Sequence, residues 1–187
     1  MTLPDLLSEA LDVAFVGINP SLYSAERGHY FARASNRFWP CISRSTLTER
    51  ARAGLAVSAL GPQHDRALQA YGIGFTDLVK RATQKASDLT ASEMAAGVEH
   101  LLEKIERYRP RIACFHGITG YRFVHASVSG KTAGSIPLGP QDVRLGTTRL
   151  FLVPNPSGAN AHFSRAEQTD WYDALADFSA GLSKAAP

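Results

Sequence analysis

The stretch Val13-Ala14-Phe15-Val16-Gly17-Ile18-Asn19-Pro20-Ser21 sets the reading of the whole chain. Residues Val13 to Val16 are apolar without a break, and the run stops at a glycine. A short apolar run with no polar alternate position reads as a buried strand, the kind found in a parallel sheet covered by helices. Gly17 lets a backbone or a ligand approach closely, and Pro20 fixes a turn and removes one donor. Asn19 is therefore expected to project from a rigid turn at the end of the strand. A plain β-turn uses the same residues, because Asn-Pro is a common turn pair.

The rest of the chain repeats the alternation. Arg111 to Phe115 runs apolar into His116-Gly117, with a helix expected from near Thr119. Ile73 to Val79 reads as a strand or an extended stretch. Val143–Leu145 and Arg149–Val153 read as a hairpin around Gly146-Thr147. Thr90 with Glu93 makes a capping box, and Met94, Val98, Leu101, Leu102 and Ile105 then mark one apolar helix face. Ser164 with Glu167 makes a second, followed by Trp171, Leu175 and Phe178 up to Gly181. Shorter helices are expected at 36–43, with Pro40 in the first turn, and at 62–70, ending at Gly72. Residues 18–35 read as one long polar loop holding several aromatics, and a loop of that length is usually functional. The expectation is a single α/β domain over residues 1–187, core about 12–182, with a mostly parallel sheet between helices. Ligands of such sheets sit beyond the carboxyl ends of the strands, so the loops after Val16, Phe115 and Val153 are the places to search.

Composition narrows the class. Hydrophobic residues are 44% of the 187, enough for one core, and charged residues at 20% argue against a disordered tail. A net charge of +3 permits an anionic partner without demanding one. Cys41 and Cys114 lie apart in apolar stretches and read as buried thiols in a reducing cytoplasm. Two cysteines and six histidines without ligand spacing imply no metal, and no other cofactor is expected. The first fourteen residues lack a basic start, and no apolar run is long enough to span a membrane. The expectation is a cytoplasmic protein, most simply a monomer, without a membrane partner.

Two further segments carry possible chemistry. Gly28-His29-Tyr30-Phe31 precedes Asn36-Arg37-Phe38-Trp39. Core packing accounts for Phe38 and Trp39, whereas Phe31 stands in a polar loop where an aromatic can stack on a planar base. Pro154-Asn155-Pro156-Ser157-Gly158-Ala159-Asn160 ends a strand and precedes a capping box. It is either a simple strand-to-helix connection or a loop of small residues able to enter a DNA groove, with its amides against phosphate.

In order and spacing these segments resemble the mismatch-specific uracil and thymine-DNA glycosylase family, the second family of uracil-DNA glycosylases. Gly72-Ile73-Gly74-Phe75-Thr76 and Tyr108-Arg109-Pro110-Arg111-Ile112-Ala113 add to the likeness. The resemblance implies a three-layer α/β/α fold and monofunctional removal of uracil, or a related pyrimidine, flipped from mismatched double-stranded DNA. It implies that Asn19 positions the attacking water, that Phe31 stacks on the base, and that Ile18, Ser21 and Asn155 border the base. It implies that Ser157, Gly158, Ala159 and Asn160 lie against the DNA. Ser21 departs from the family's glycine and also from the tyrosine that blocks the thymine methyl in family-one enzymes, so 5-substituted uracils are expected to enter. Gly158-Ala159-Asn160-Ala161-His162 lacks the arginine or leucine that fills the gap left by the flipped base. His116 and Thr119 stand where relatives often carry asparagine or lysine. With no carboxylate inside the first motif, water activation is expected to be modest and leaving-group stabilisation dominant. A lesion-binding module with little catalysis is the alternative, and release of free uracil separates the two.

Overall fold

Five strands, β1 (Val13–Gly17), β2 (Ile73–Asp77), β3 (Ile112–His116), β4 (Gly139–Leu145) and β5 (Thr148–Val153), form one sheet in the order β2-β1-β3-β5-β4. The computed structural model describes residues 1–131 and 134–184. Residues 132–133 and 185–187, within the expected 1–187 domain, lie outside the described residues. β1 pairs in parallel with β2 (Val13 opposite Ile73) and with β3 (Val13 opposite Ile112), and β3 pairs in parallel with β5. Only β4 runs antiparallel, joined to β5 as the expected hairpin.

The unbroken apolar runs of the strands are explained by what covers them. Val13 and Phe15, Ile73 and Phe75, Ile112 and Cys114, and Phe151 and Val153 point to one core. There they meet α2 (Phe38–Ile42), α3 (Glu49–Gly54) and α6 (Arg165–Lys184). Val16, Ala113, Phe115, Leu150 and Leu152 point to the other, against α4 (Ala91–Tyr108) and α5 (Ile118–Ser129). Both faces of the central strands are dry, so alternation gives no polar side. The result is the three-layer α/β/α arrangement. Burying each large apolar side chain contributes roughly 1.5–3 kcal/mol, offset by chain entropy.

Thr90 and Glu93 cap α4 reciprocally, and Ser164 and Glu167 do the same for α6. Pro40 sits in the first turn of α2, where its missing N–H leaves no gap in the helix ladder. Other expectations are corrected. The 18–35 stretch is not all loop but holds a helix, α1 (Leu22–Arg27), whose N-cap is Ser21. In place of one helix over 62–70 there are two 3₁₀ turns, Pro62–His64 and Ala67–Tyr71. β2 ends at Asp77 rather than Val79. Leu3, Leu6 and Leu11 are buried, and Leu6 pairs antiparallel with Phe75, so the core includes the segment before residue 12. Cys41 and Cys114 are buried and unpaired. Among the described residues no helix is long and apolar enough to cross a membrane.

Candidate active site

From β1 the chain turns to the α2 face of the sheet, and from β3 to the α5 face. Two neighbouring parallel strands that part in this way leave a crevice beyond their carboxyl ends. A cavity of about 390 Å³ opens there, within the range of small-ligand sites. Ile18, Asn19, Ser21, Phe31, Asn155, Ser157, Gly158 and Ala159 all line it. Asn160 does not, but its side-chain amide donates to the Asn155 carbonyl at 2.8 Å and so braces the wall.

The Asn19 amide is held in one sense. Its Nδ2 donates to the Arg81 carbonyl (2.9 Å) and to Thr83 Oγ1 (2.7 Å), with the Pro20 carbonyl at 3.2 Å. Thr83 Oγ1 gives its own proton to the Lys85 carbonyl at 2.7 Å, so toward Asn19 it can only accept. That relay turns the nitrogen toward residues 81–83 and leaves Oδ1 over. Among the described residues no group donates to Oδ1. The supporting loop is fastened to the first motif by its backbone, Thr83 N to Pro20 O (3.1 Å) and Leu22 N to Thr83 O (3.1 Å).

Ser21 borders the cavity, but its hydroxyl is engaged in the start of its helix, accepting from Ser24 N and donating to Ser24 Oγ, both at 3.1 Å. Phe31 adopts φ +52°, a conformation uncommon for a bulky residue. Neighbours impose it. Asp65, itself buried, accepts from Tyr30 N at 3.0 Å, and Trp39 Nε1 donates to the Tyr30 carbonyl at 2.9 Å. The Phe31 ring stacks on Phe38 (4.3 Å between centroids) and meets His116 edge-on (5.1 Å). Phe31 is thus both a core neighbour and a cavity wall. Asn155 Oδ1 accepts from Ser157 N at 2.9 Å, closing a local turn. Arg37 moors the same loop through its N–H to Pro156 O (2.8 Å) and its guanidinium to Phe163 O (2.6 Å). A Cβ on Gly158 would stand 2.6 Å from the Ser35 carbonyl oxygen, so the loop seats only with glycine there.

The fold also brings in Asp77, which motif reading passed over, and His116, noted above only as a departure from relatives. Asp77, the last residue of β2, lines the cavity and is 3% exposed. Its carboxylate occupies the place a Cβ on Gly17 would take, which is why the first motif begins with glycine. Asp77 Oδ2 is buried without a hydrogen bond, and the nearest cation, Lys80 Nζ, stays 3.9 Å away. Burial pushes the carboxyl up to about 7, with Lys80 and Lys104 opposing and Asp5 adding to the rise. His116, ending β3, stacks on Phe15 and shares a hydrogen bond of 3.1 Å between Nε2 and the Tyr172 hydroxyl. Burial lowers its pKa to about 3, so the ring is neutral, and its Nδ1 has no partner. The signal for both was positional: a polar side chain closing an apolar strand at the carboxyl edge of a parallel sheet. Among the described residues no three His, Cys, Asp or Glu gather to hold a metal ion.

The arrangement is a cavity with an aromatic wall, a fixed amide oxygen and a buried carboxylate whose pKa burial raises to about 7. Residues 4–179 match the family model described as "Uracil DNA glycosylase superfamily".

Proposed function

The chain belongs to the uracil DNA glycosylase superfamily, and from that premise we propose that it is a monofunctional glycosylase of the mismatch-specific branch. It excises uracil, and some 5-substituted or damaged pyrimidines, from mismatched double-stranded DNA and so initiates base excision repair. The observation that carries this reading is the fixed Asn19 amide, whose free Oδ1 can accept a hydrogen bond from a water molecule in the cavity.

The base leaves the stack to reach the protein, most easily at a mismatch. It enters against Phe31, with Ile18, Ser21 and Asn155 at its border, while Ser157, Gly158 and Ala159 face the DNA and Asn160 braces them. As the C1′–N1 bond breaks, its electron pair leaves with the base. The water oxygen held by Asn19 bonds to C1′, and the proton it loses passes to the Asp77 carboxylate and on to solvent. The base anion takes a proton from solvent. An amide alone cannot accept that proton, so Asp77 supplies what the first motif lacks. A carboxyl near 7 suits a base working at neutral pH. The protein acts as a monomer in the cytoplasm, on nucleoid DNA, without a metal or other cofactor.

The test is single-turnover release of free base from a labelled G·U duplex. The parent protein releases uracil, and Asn19→Ala lowers the rate by at least ~10²-fold while still folding and binding the duplex. Tight duplex binding by the parent with no free base would establish a lesion-binding module instead.

A further inference from the structure

Lys80 is close enough to Asp77 to neutralise it, yet is held off. Its Nζ lies 2.8 Å from Asp5 Oδ1 and 3.3 Å from the Tyr30 hydroxyl, against 3.9 Å from Asp77 Oδ2. Asp5 is placed by backbone, since the adjacent Leu6 pairs with Phe75 of β2 through bonds of 2.8 and 2.9 Å. Thr76 Oγ1 donates to Asp5 Oδ1 at 2.7 Å, and Lys104 of α4 meets Asp5 Oδ2 at 2.9 Å. The Asp5 carboxylate therefore collects two ammonium groups and a hydroxyl. The groups around Asp77 are Tyr30 from the loop before α2, Lys80 beyond β2, Asp5 from the N-terminal segment and Lys104 from α4. Neutral His116 lines the same cavity. The Tyr30 hydroxyl donates its proton to the Pro4 carbonyl at 3.1 Å.

We propose that Asp5 is a positioning residue that keeps the Lys80 ammonium out of hydrogen-bond reach of Asp77, so that Asp77 works as a proton acceptor in the cavity rather than as the hydrogen-bonded partner of that ammonium. The inference rests on the reading of Asp77 as the base. Without the Asp5 charge, the closest carboxylate to Lys80 is Asp77, and closing the present gap makes a charge-assisted hydrogen bond. Such a bond favours the ionised carboxylate and weakens it as a base. Removing Lys80 does the reverse.

The experiment is the pH dependence of single-turnover uracil release from a G·U duplex, over about pH 5 to 9. It compares the parent protein with Asp77→Asn, Asp5→Asn and Lys80→Met, each checked for folding by circular dichroism. The parent rate rises with pH through a midpoint near the Asp77 value of about 7. Asp77→Asn removes that rise. Asp5→Asn moves the midpoint down by about one pH unit or more, further than the same change does in a Lys80→Met background, where only the Asp5 charge is lost, and Lys80→Met alone moves it up. Loss of packing alone would lower the rate without moving the midpoint in opposite directions. If Asp77→Asn removes the rise but Asp5→Asn shifts the midpoint equally with and without Lys80, or not at all, the positioning role is overturned and the base reading stands. If the rise survives in Asp77→Asn, both fall. Should Asp5→Asn fail to fold, Lys80→Met decides, because an unmoved midpoint there means Lys80 does not bear on Asp77.

Discussion

Asn19 gains its orientation from a hydroxyl sixty-four residues away in sequence, and that gives Thr83 a measurable role. A single hydrogen bond is worth about 0.5–1.5 kcal/mol net. Thr83→Val is therefore expected to lower single-turnover excision by up to roughly 10-fold with little change in melting temperature, and Thr83→Ser to restore it. An equal loss in both variants would assign the effect to loop packing. Phe31 is expected to behave differently because its ring also stacks on Phe38. Phe31→Ala should cost about 1–3 kcal/mol in processing every base and also lower stability, whereas Phe31→Tyr should be mild. Asp77 makes a prediction of its own about folding. Its folded pKa, about 7, lies above the ordinary carboxyl value, so the native state holds this proton more tightly than the unfolded chain does. Stability from this group is full below about pH 4 and is lost as pH rises through about 7. Thermal melts at pH 5 and pH 8 should show a smaller loss in Asp77→Asn than in the parent. An equal loss would mean the carboxylate is solvated.

Among the elements, those that join a capping box to a long apolar periodicity were legible in advance. α4 and α6 announced themselves by reciprocal caps and by apolar residues at helical spacing. The six-residue helix Leu22–Arg27 did not, because it is too short for a periodicity and carries no acidic residue in its first turn. Its signals were single residues, Ser21 at the N-cap and Gly28 at the C-cap, and resemblance alone had marked Ser21 as a border of the base site. The position does two things at once, and this changes how substrate range is tested. Ser21→Ala should cost about 1 kcal/mol of stability through the lost cap with the pocket still open. Ser21→Tyr closes the pocket and removes the cap together. If an open pocket admits 5-substituted uracils, the parent and Ser21→Ala both act on uracil and on 5-hydroxymethyluracil opposite guanine, while Ser21→Tyr loses the latter selectively. Uracil-only activity in the parent would end that reading. Asp77 escaped notice for another reason: Ile73 to Val79 looked like one uniform extended stretch, and nothing local says that its carboxylate fills the space over Gly17.

Across the whole molecule, the order of motifs was enough to expect the candidate site at the end of the sheet, where most of the named residues border one cavity. Their partners were not visible, because Asp5, Asp65 and Thr83 act through contacts that exist only once the chain has folded. The same holds for charge. A net +3 says little, but the structure puts exposed Arg33 in the cavity wall and Arg27 and Arg33 over the ring of Tyr23. Affinity for a G·U duplex should fall steeply with salt, and Arg33→Ala should reduce the slope of log K against log salt by about 1 if that residue meets a phosphate. A slope unchanged in the variant would place the phosphate contacts elsewhere. The parallel pairing of β1 with both β2 and β3 also has a consequence during synthesis. The inner strand β1 is made first and waits for neighbours, the second of which begins at Ile112. At about 5–20 residues per second on the ribosome, its second edge stays unpaired for roughly 5–20 s. Nascent chains arrested just short of Ile112 should consequently recruit chaperones or aggregate, and chains long enough to release β3 should not.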